Sequence, residues 1–147
     1  MNRDEILDNL NKLIHLDVDA IHAYDQAIKN VSERTVKEKL MLFQTEHRGH
    51  IDQLSTKVRE LEGTPPELTS DFKGFIISGF TAVRSLTGTK GALEAMETNE
   101  RLTTSKYAEA SKLDFPVDVL AIVQSNWADE QRHLAFVREA ISSLGRS

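Results

Sequence analysis

Residues 1–48 contain neither glycine nor proline. A stretch of that length without a breaker, rich in Leu, Ala, Glu, Lys and Gln, has helix as its natural state. The breakers fall elsewhere: Gly63 with Pro65 and Pro66, Gly88 with Gly91, and Pro116. No Asn-Gly or Asp-Gly pair marks a turn between strands.

The apolar residues recur in steps of three and four, the period of a helix packed along a bundle seam. The first seam is Leu7, Leu10, Ile14, Asp17, Ile21, Tyr24, Ile28 and Val31. The second is Val36, Leu40, Phe43, His47, His50, Leu54, Val58 and Leu61. The third is Leu93, Met96, Glu100, Thr103, Tyr107 and Ala110. The fourth is Val119, Val123, Asn126, Glu130, His133, Val137, Ala140 and Leu144. They predict four helices, at 2–31, 33–62, 89–113 and 116–144. Ser32 is placed to N-cap the second helix. Gly63 is placed as its left-handed C-cap. Pro116 suits the first position of the fourth. The short connections near 32 and 114 make each pair of helices antiparallel neighbours. Between the second and third helices, Phe72, Phe75, Ile76, Ile77, Phe80, Val83 and Leu86 predict a short extra helix after Ser70, within a long crossover.

With 147 residues, 39% apolar and 28% charged, the chain suits one domain over 1–147 and is too apolar for disorder. It lacks the run of about 18 apolar residues that a membrane span needs. The opening MNRDEILDNLNK has no apolar signal region, so the expected location is the cytoplasm. The absence of cysteine excludes disulfides and thiolate sites, so a bound metal must use His, Asp and Glu. A net charge of −5 argues against nucleic acid as a partner.

Six ionisable residues interrupt the apolar seams: Asp17, His47, His50, Glu100, Glu130 and His133. Reflecting position 17 through the turn near 32 lands beside His47. Reflecting position 100 through the turn near 114 lands beside Glu130. Each hairpin thus brings its polar residues to one height, near mid-bundle. Removing an ion from water costs several kcal/mol. Three carboxylates in one layer cost on the order of 10 kcal/mol, which rivals a domain's whole stability of roughly 5–15 kcal/mol. Divalent cations are the simplest compensation, and iron, manganese and zinc all suit these ligands.

The two halves repeat. Asp17 precedes Tyr24 by seven residues, as Glu100 precedes Tyr107. His47-Arg-Gly-His50 corresponds to Glu130-Gln-Arg-His133, each after an acid, Glu46 or Asp129. Residues at i and i+3 share a helix face, so each pair can reach one centre. Glu97, like Glu46 and Asp129, flanks the layer. His15 and His22 lie off the first seam and are expected in solvent. Trp127 is expected to pack, and Asn126 to serve as a polar partner.

On these residues the whole chain resembles the ferritin-like superfamily of bacterioferritins and rubrerythrins, and within it an uncharacterised bacterial four-helix-bundle family. The resemblance implies an all-α, antiparallel four-helix bundle with a long crossover. It implies a di-metal centre with two iron ions, manganese or zinc being alternatives. Asp17 and Glu100 would be terminal carboxylates, Glu130 and His133 the intact Glu-x-x-His motif, and His47 and His50 its counterpart. Tyr24 and Tyr107 look like the superfamily's tyrosines that hydrogen-bond ligand carboxylates. Two positions depart from the pattern. Asp17 is one methylene shorter than Glu. His47 replaces a Glu, and a neutral imidazole offers one lone pair where a carboxylate bridges with two oxygens. Glu130 is then the sole protein bridge, and three carboxylates leave two divalent ions with one positive charge in excess. The implied function is an oxidoreductase acting on oxygen, peroxide or ferrous iron. The alternative is a non-catalytic bundle for metal sequestration or protein association, with a structural or vestigial site. Phe75 and Ile77 exceed what one groove can cover, which predicts a homodimer.

Overall fold

The computed structural model describes residues 1–66 and 88–145. Among them are four helices and no strand: α1 (Arg3–Asn30), α2 (Arg34–Glu60), α3 (Gly88–Ala110) and α4 (Val117–Gly145). The crossover helix and the homodimer surface expected around Phe72–Leu86 lie outside the described residues. Among the described residues no helix is long and apolar enough to cross a membrane.

α1 and α2 form one hairpin, and α3 and α4 a second. α1 packs broadly on α3, while α2 meets α4 along a sparser seam. Every seam residue predicted from the sequence lies wholly or partly inside the bundle. Burying a Leu- or Ile-sized side chain stabilises by about 1.5–3 kcal/mol, and these burials form two separate cores. One gathers Ile6, Leu10, Ile14, Leu54, Val58, Phe115, Val119 and Val123 at one end of the bundle. The other gathers Tyr24, Ala27, Leu40, Phe43, Leu93, Met96 and Val137 at the opposite end. On α2, α3 and α4 the interrupting residues fall between the two cores, and on α1 Asp17 lies at the inner end of the first, between Leu16 and Val18.

The helix ends differ from expectation in instructive ways. α1 opens with a capping box: Asn2 Oδ1 accepts from the Glu5 amide at 2.9 Å, and Glu5 Oε1 accepts from the Asn2 amide at 3.1 Å. Ser32 does not cap α2, whose N-cap is Glu33 with no side-chain bond. Ser32 instead turns to the other hairpin, where its amide donates to Thr89 Oγ1 at 3.0 Å. The left-handed residue after α2 is Glu62, at φ 64°, rather than Gly63. The Glu62 amide donates to Arg59 O at 2.9 Å and the Gly63 amide to Val58 O at 2.8 Å, the paired bonds of a Schellman motif. Gly63 matters for space, since a Cβ there would stand 2.6 Å from Leu7 Cδ2. Arg3 completes the end by donating to the carbonyls of Leu61 and Glu62. Pro116 occupies the cap position, one residue earlier than expected, and its carbonyl accepts from the Leu120 amide at 2.9 Å.

Candidate metal centre

The middle turns of the four helices bring all six interrupting residues into one layer. Asp17, His47, Glu130 and His133 are 0% exposed, Glu100 1% and His50 3%. Their ligand atoms form two groups, each with its atoms within 4.8 Å of one another: Asp17, His47, His50 and Glu130, and His47, Glu100, Glu130 and His133. His47 and Glu130 belong to both. Within the first group, Asp17 Oδ1 lies 2.6 Å from His47 Nδ1 and 3.1 Å from His50 Nδ1. Glu130 Oε1 is 3.4 Å from both of those nitrogens. Within the second, His133 Nδ1 is 3.8 Å from Glu100 Oε2 and from Glu130 Oε2. His47 Nε2 faces this group, 3.4 Å from Glu100 Oε1.

Each hairpin holds the other's carboxylate. The Tyr24 hydroxyl of α1 donates to Glu100 Oε1 on α3. The Tyr107 hydroxyl of α3 donates to Asp17 Oδ2 on α1 at 2.5 Å. Asn126 donates to the Tyr107 oxygen at 3.4 Å, the polar partnership expected of it. Thr103 donates to Glu100 Oε2 at 3.0 Å. It lies on the third seam, and only its position one turn from Glu100 could have signalled that role.

The outward nitrogens of two histidines are held by the acids that precede each motif, and again the pairing crosses between halves. His50 Nε2 lies 2.9 Å from Asp129 Oδ2 on α4, and His133 Nε2 lies 2.6 Å from Glu46 Oε1 on α2. A proton on each Nε2 turns the lone pair of each Nδ1 into the layer. Arg132, half exposed, donates to Asp129 at 2.7 Å and to Glu46 at 3.2 Å over the sparse α2–α4 seam. Sequence reasoning did not single out Arg132. Glu97 stands apart, paired with Arg101 and Arg138. Of the remaining histidines His22 is exposed, whereas His15 is half-buried, with burial lowering its pKa. Trp127 packs against the first core, as expected.

Electrostatics divide the layer. Burial alone would raise the Asp17 carboxyl, but hydrogen bonds and charge from His47 and His50 hold it at about 2. Burial opposes ionisation of Glu100 too, and His47 and His133 hold it at about 2. Glu130 moves the other way. Burial lifts it well above the usual carboxylate range, and the charges of Glu100 and Asp17 add to the lift against the pull of His47. Burial disfavours charge on His47, yet Glu130, Asp17 and Glu100 outweigh it and raise its pKa well above normal. His50 is raised by Asp17 against burial, while burial lowers His133. Burial first, then the adjacent carboxylate, pushes the Tyr24 and Tyr107 phenols well up.

A cation is a good fit to what remains unmet. Neither oxygen of Glu130 makes a hydrogen bond, and nor does His133 Nδ1, although all three atoms are buried. Such orphaned groups cost about 1–3 kcal/mol each. Glu130 Oε1 faces the first group and Oε2 the second, the placement a bridging carboxylate requires.

Known proteins of the same shape are ferritin-like. The chain superposes on a ferritin-like, diiron-carboxylate protein of Bacillus anthracis with a TM-score of 0.75 and 19% identity, covering 96% of this chain and 99% of that one. It superposes on the dodecameric thioferritin of Bacteroides fragilis at 0.82 and 18% identity, covering 99% and 89%. For the bacterioferritin of Desulfovibrio desulfuricans, whose diiron site was captured in different catalytic states, the values are 0.77 and 19%, covering 99% and 85%. No protein of curated function matches the chain. Residues 5–113 match the family described as Domain of unknown function (DUF2383), and that match spans most of the chain. The buried Asp, His and Glu residues thus sit in a ferritin-like bundle, and the chain belongs to the DUF2383 family.

Proposed function

We propose that this protein binds two divalent cations, iron in the first instance, between Asp17, His47, His50, Glu100, Glu130 and His133, and that it is an oxidoreductase acting on oxygen, peroxide or ferrous iron. The observation that carries this reading is Glu130. It is fully buried with neither oxygen in a hydrogen bond, and each oxygen faces a different group of ligand atoms. The diiron sites of the B. anthracis and D. desulfuricans proteins support the choice of iron.

Bound iron would supply electron transfer, and the chain supplies the setting for it. Asp17 and Glu100 act as anionic ligands whose orientation is fixed by Tyr107 and Tyr24. His50 and His133 present Nδ1 because Asp129 and Glu46 hold Nε2. Glu130 would offer one oxygen to each group of ligand atoms. Phe43 stacks on His133 at 4.2 Å, and the two apolar cores exclude water on either side. The raised pKa values of Tyr24 and Tyr107 keep both phenols protonated as donors.

One observation favours a non-catalytic bundle used for metal sequestration or association. Asp17, His47 and His50 already satisfy one another without a cation. Metal analysis of protein purified without chelator, then anaerobic iron loading and turnover with oxygen or peroxide, separates the readings. Bound metal with turnover supports the oxidoreductase, bound metal without turnover supports sequestration, and no metal removes both of these and leaves a bundle for association with a vestigial site. Cytoplasmic location and a homodimer belong to the same proposal. Cell fractionation and sedimentation equilibrium test them.

A further inference from the structure

Building on the two-cation reading, we propose that cations enter and leave the layer through the α2–α4 seam, and that Arg132 is the latch across it. All six ligand residues are buried, so exchange with solvent needs a side chain to move. Towards α1 and α3 the layer is backed by Tyr24, Tyr107 and Thr103, all fully buried. The α2–α4 seam is the most sparsely packed of the helix–helix seams among the described residues. Its ends are closed. Lys57 donates to Asp118 at 2.6 Å towards one end, and Phe43 meets Phe136 edge-on towards the other, with ring centroids 5.5 Å apart. Between those ends stand Glu46 and Asp129, both partly exposed, with Arg132 over them.

Two contacts lead from a buried ligand to water. His50 Nε2 lies 2.9 Å from Asp129 Oδ2, and His133 Nε2 lies 2.6 Å from Glu46 Oε1. Arg132 Nη2 then lies 2.7 Å from Asp129 Oδ1 and 3.2 Å from Glu46 Oε1. Two carboxylates can replace waters that a divalent cation sheds on its way in. With the guanidinium over them, part of their charge is spent and a like charge faces the arriving cation. Arg132 is half exposed, so turning its head group into water costs little.

The partner helix leaves the opening uncovered. Aligning the two ligand motifs sets Gly49 of α2 against Arg132 of α4. A Cβ at Gly49 would meet nothing within 4 Å, so no neighbour demands a glycine in this helix interior, where it is disfavoured. Cover for the seam at this level comes from α4, and the swing of one side chain clears it.

The test is stopped-flow mixing of the full chain with Co(II), read by its visible absorption, followed by release of bound Co(II) into excess EDTA. Arg132→Gln should raise the entry and release rates alike, each by about fivefold, because two solvent-screened ion pairs no longer have to break. Its Kd should move by less than about threefold. Gly49→Leu adds cover from α2 where a Cβ has room, and should slow both rates while leaving Kd and the fold intact. Faster entry with unchanged release in Arg132→Gln would mean that the bared acids merely attract cations, and would overturn the latch. Unchanged rates in both variants would overturn the proposal while leaving two-cation binding intact. Absence of any Co(II) binding would overturn both.

Discussion

The α1–α2 hairpin contributes Asp17, His47 and His50, and the α3–α4 hairpin contributes Glu100, Glu130 and His133. Each also reaches across to the other. Tyr107 orients Asp17, Tyr24 orients Glu100, Asp129 holds His50 and Glu46 holds His133. The layer is therefore assembled only when the hairpins dock. The difference lies in the central pair. His47 meets carboxylates at both ring nitrogens, while neither oxygen of Glu130 makes a hydrogen bond. The first hairpin can satisfy its polar groups with protons alone, and the second cannot. Dependence on a cation should therefore concentrate on Glu130.

The largest expected effect is that of the cation itself. At a free concentration about a thousand times Kd, binding adds about 4 kcal/mol, or about 10 °C in melting temperature for a chain of this size. Differential scanning calorimetry with and without saturating metal measures it. Equal melting temperatures would mean that both hairpins, not just the first, are satisfied without a cation.

Next comes the contrast between the two central residues. Glu130→Ala should weaken both binding steps, by about a hundredfold or 2.7 kcal/mol. His47→Ala should weaken one step, by about tenfold. Isothermal titration of the two variants compares them, and equal losses would erase the distinction between the hairpins.

The third effect is pH. From ordinary values of 6.5 for His47 and His50 and 4.5 for Glu130, the pKa values are raised in the fold. Above pH 6.5 the unfolded chain has released protons that the metal-free fold retains. Stability then falls as pH rises, by about 1.4 kcal/mol per pH unit for each retained proton. Asp17 and Glu100, held at about 2, act oppositely: their stabilisation is present above 3.8 and 4.5 and is lost as pH falls through about 2. Thermal melts of metal-free protein from pH 6.5 to 8.5 should show falling stability. Metal-loaded protein should not fall, because the cations have displaced those protons. A metal-free melting temperature that rises over this range contradicts the assignment.

Smaller effects belong to the residues outside the layer. Asp129→Asn should weaken the Asp17 side and Glu46→Gln the Glu100 side, each by about tenfold, the low end for groups that orient a ligating histidine. Competition against a chelator resolves which step moves, and a loss on the wrong side would refute the crossed pairing. Arg132→Gln should cost less than about threefold, since a half-exposed ion pair is screened by solvent.

Much of this was legible in the sequence because the fold imposes one periodicity on four long helices. A residue breaking an apolar seam is conspicuous, so Asp17, His47, His50, Glu100, Glu130 and His133 could be picked out and set at one height. What a helical period does not carry is contact between distant segments. Glu46 and Asp129 were visible as flanking acids, yet that each serves the opposite hairpin depends on how α2 lies against α4. Ser32 has the chemistry of a cap, but Thr89 lies close enough to take its hydrogen bond instead. Gly63 has the preference for a left-handed turn, yet the turn falls on Glu62, and Gly63 instead leaves room for Leu7.

The most direct test of the two-cation layer is anomalous X-ray diffraction from crystals grown with Co(II) or Zn(II). Two anomalous peaks per chain are expected, one between Glu130 Oε1 and the Asp17, His47 and His50 atoms, the other between Glu130 Oε2 and the Glu100 and His133 atoms. A layer without a peak, with Glu130 still apart from any donor, would contradict it.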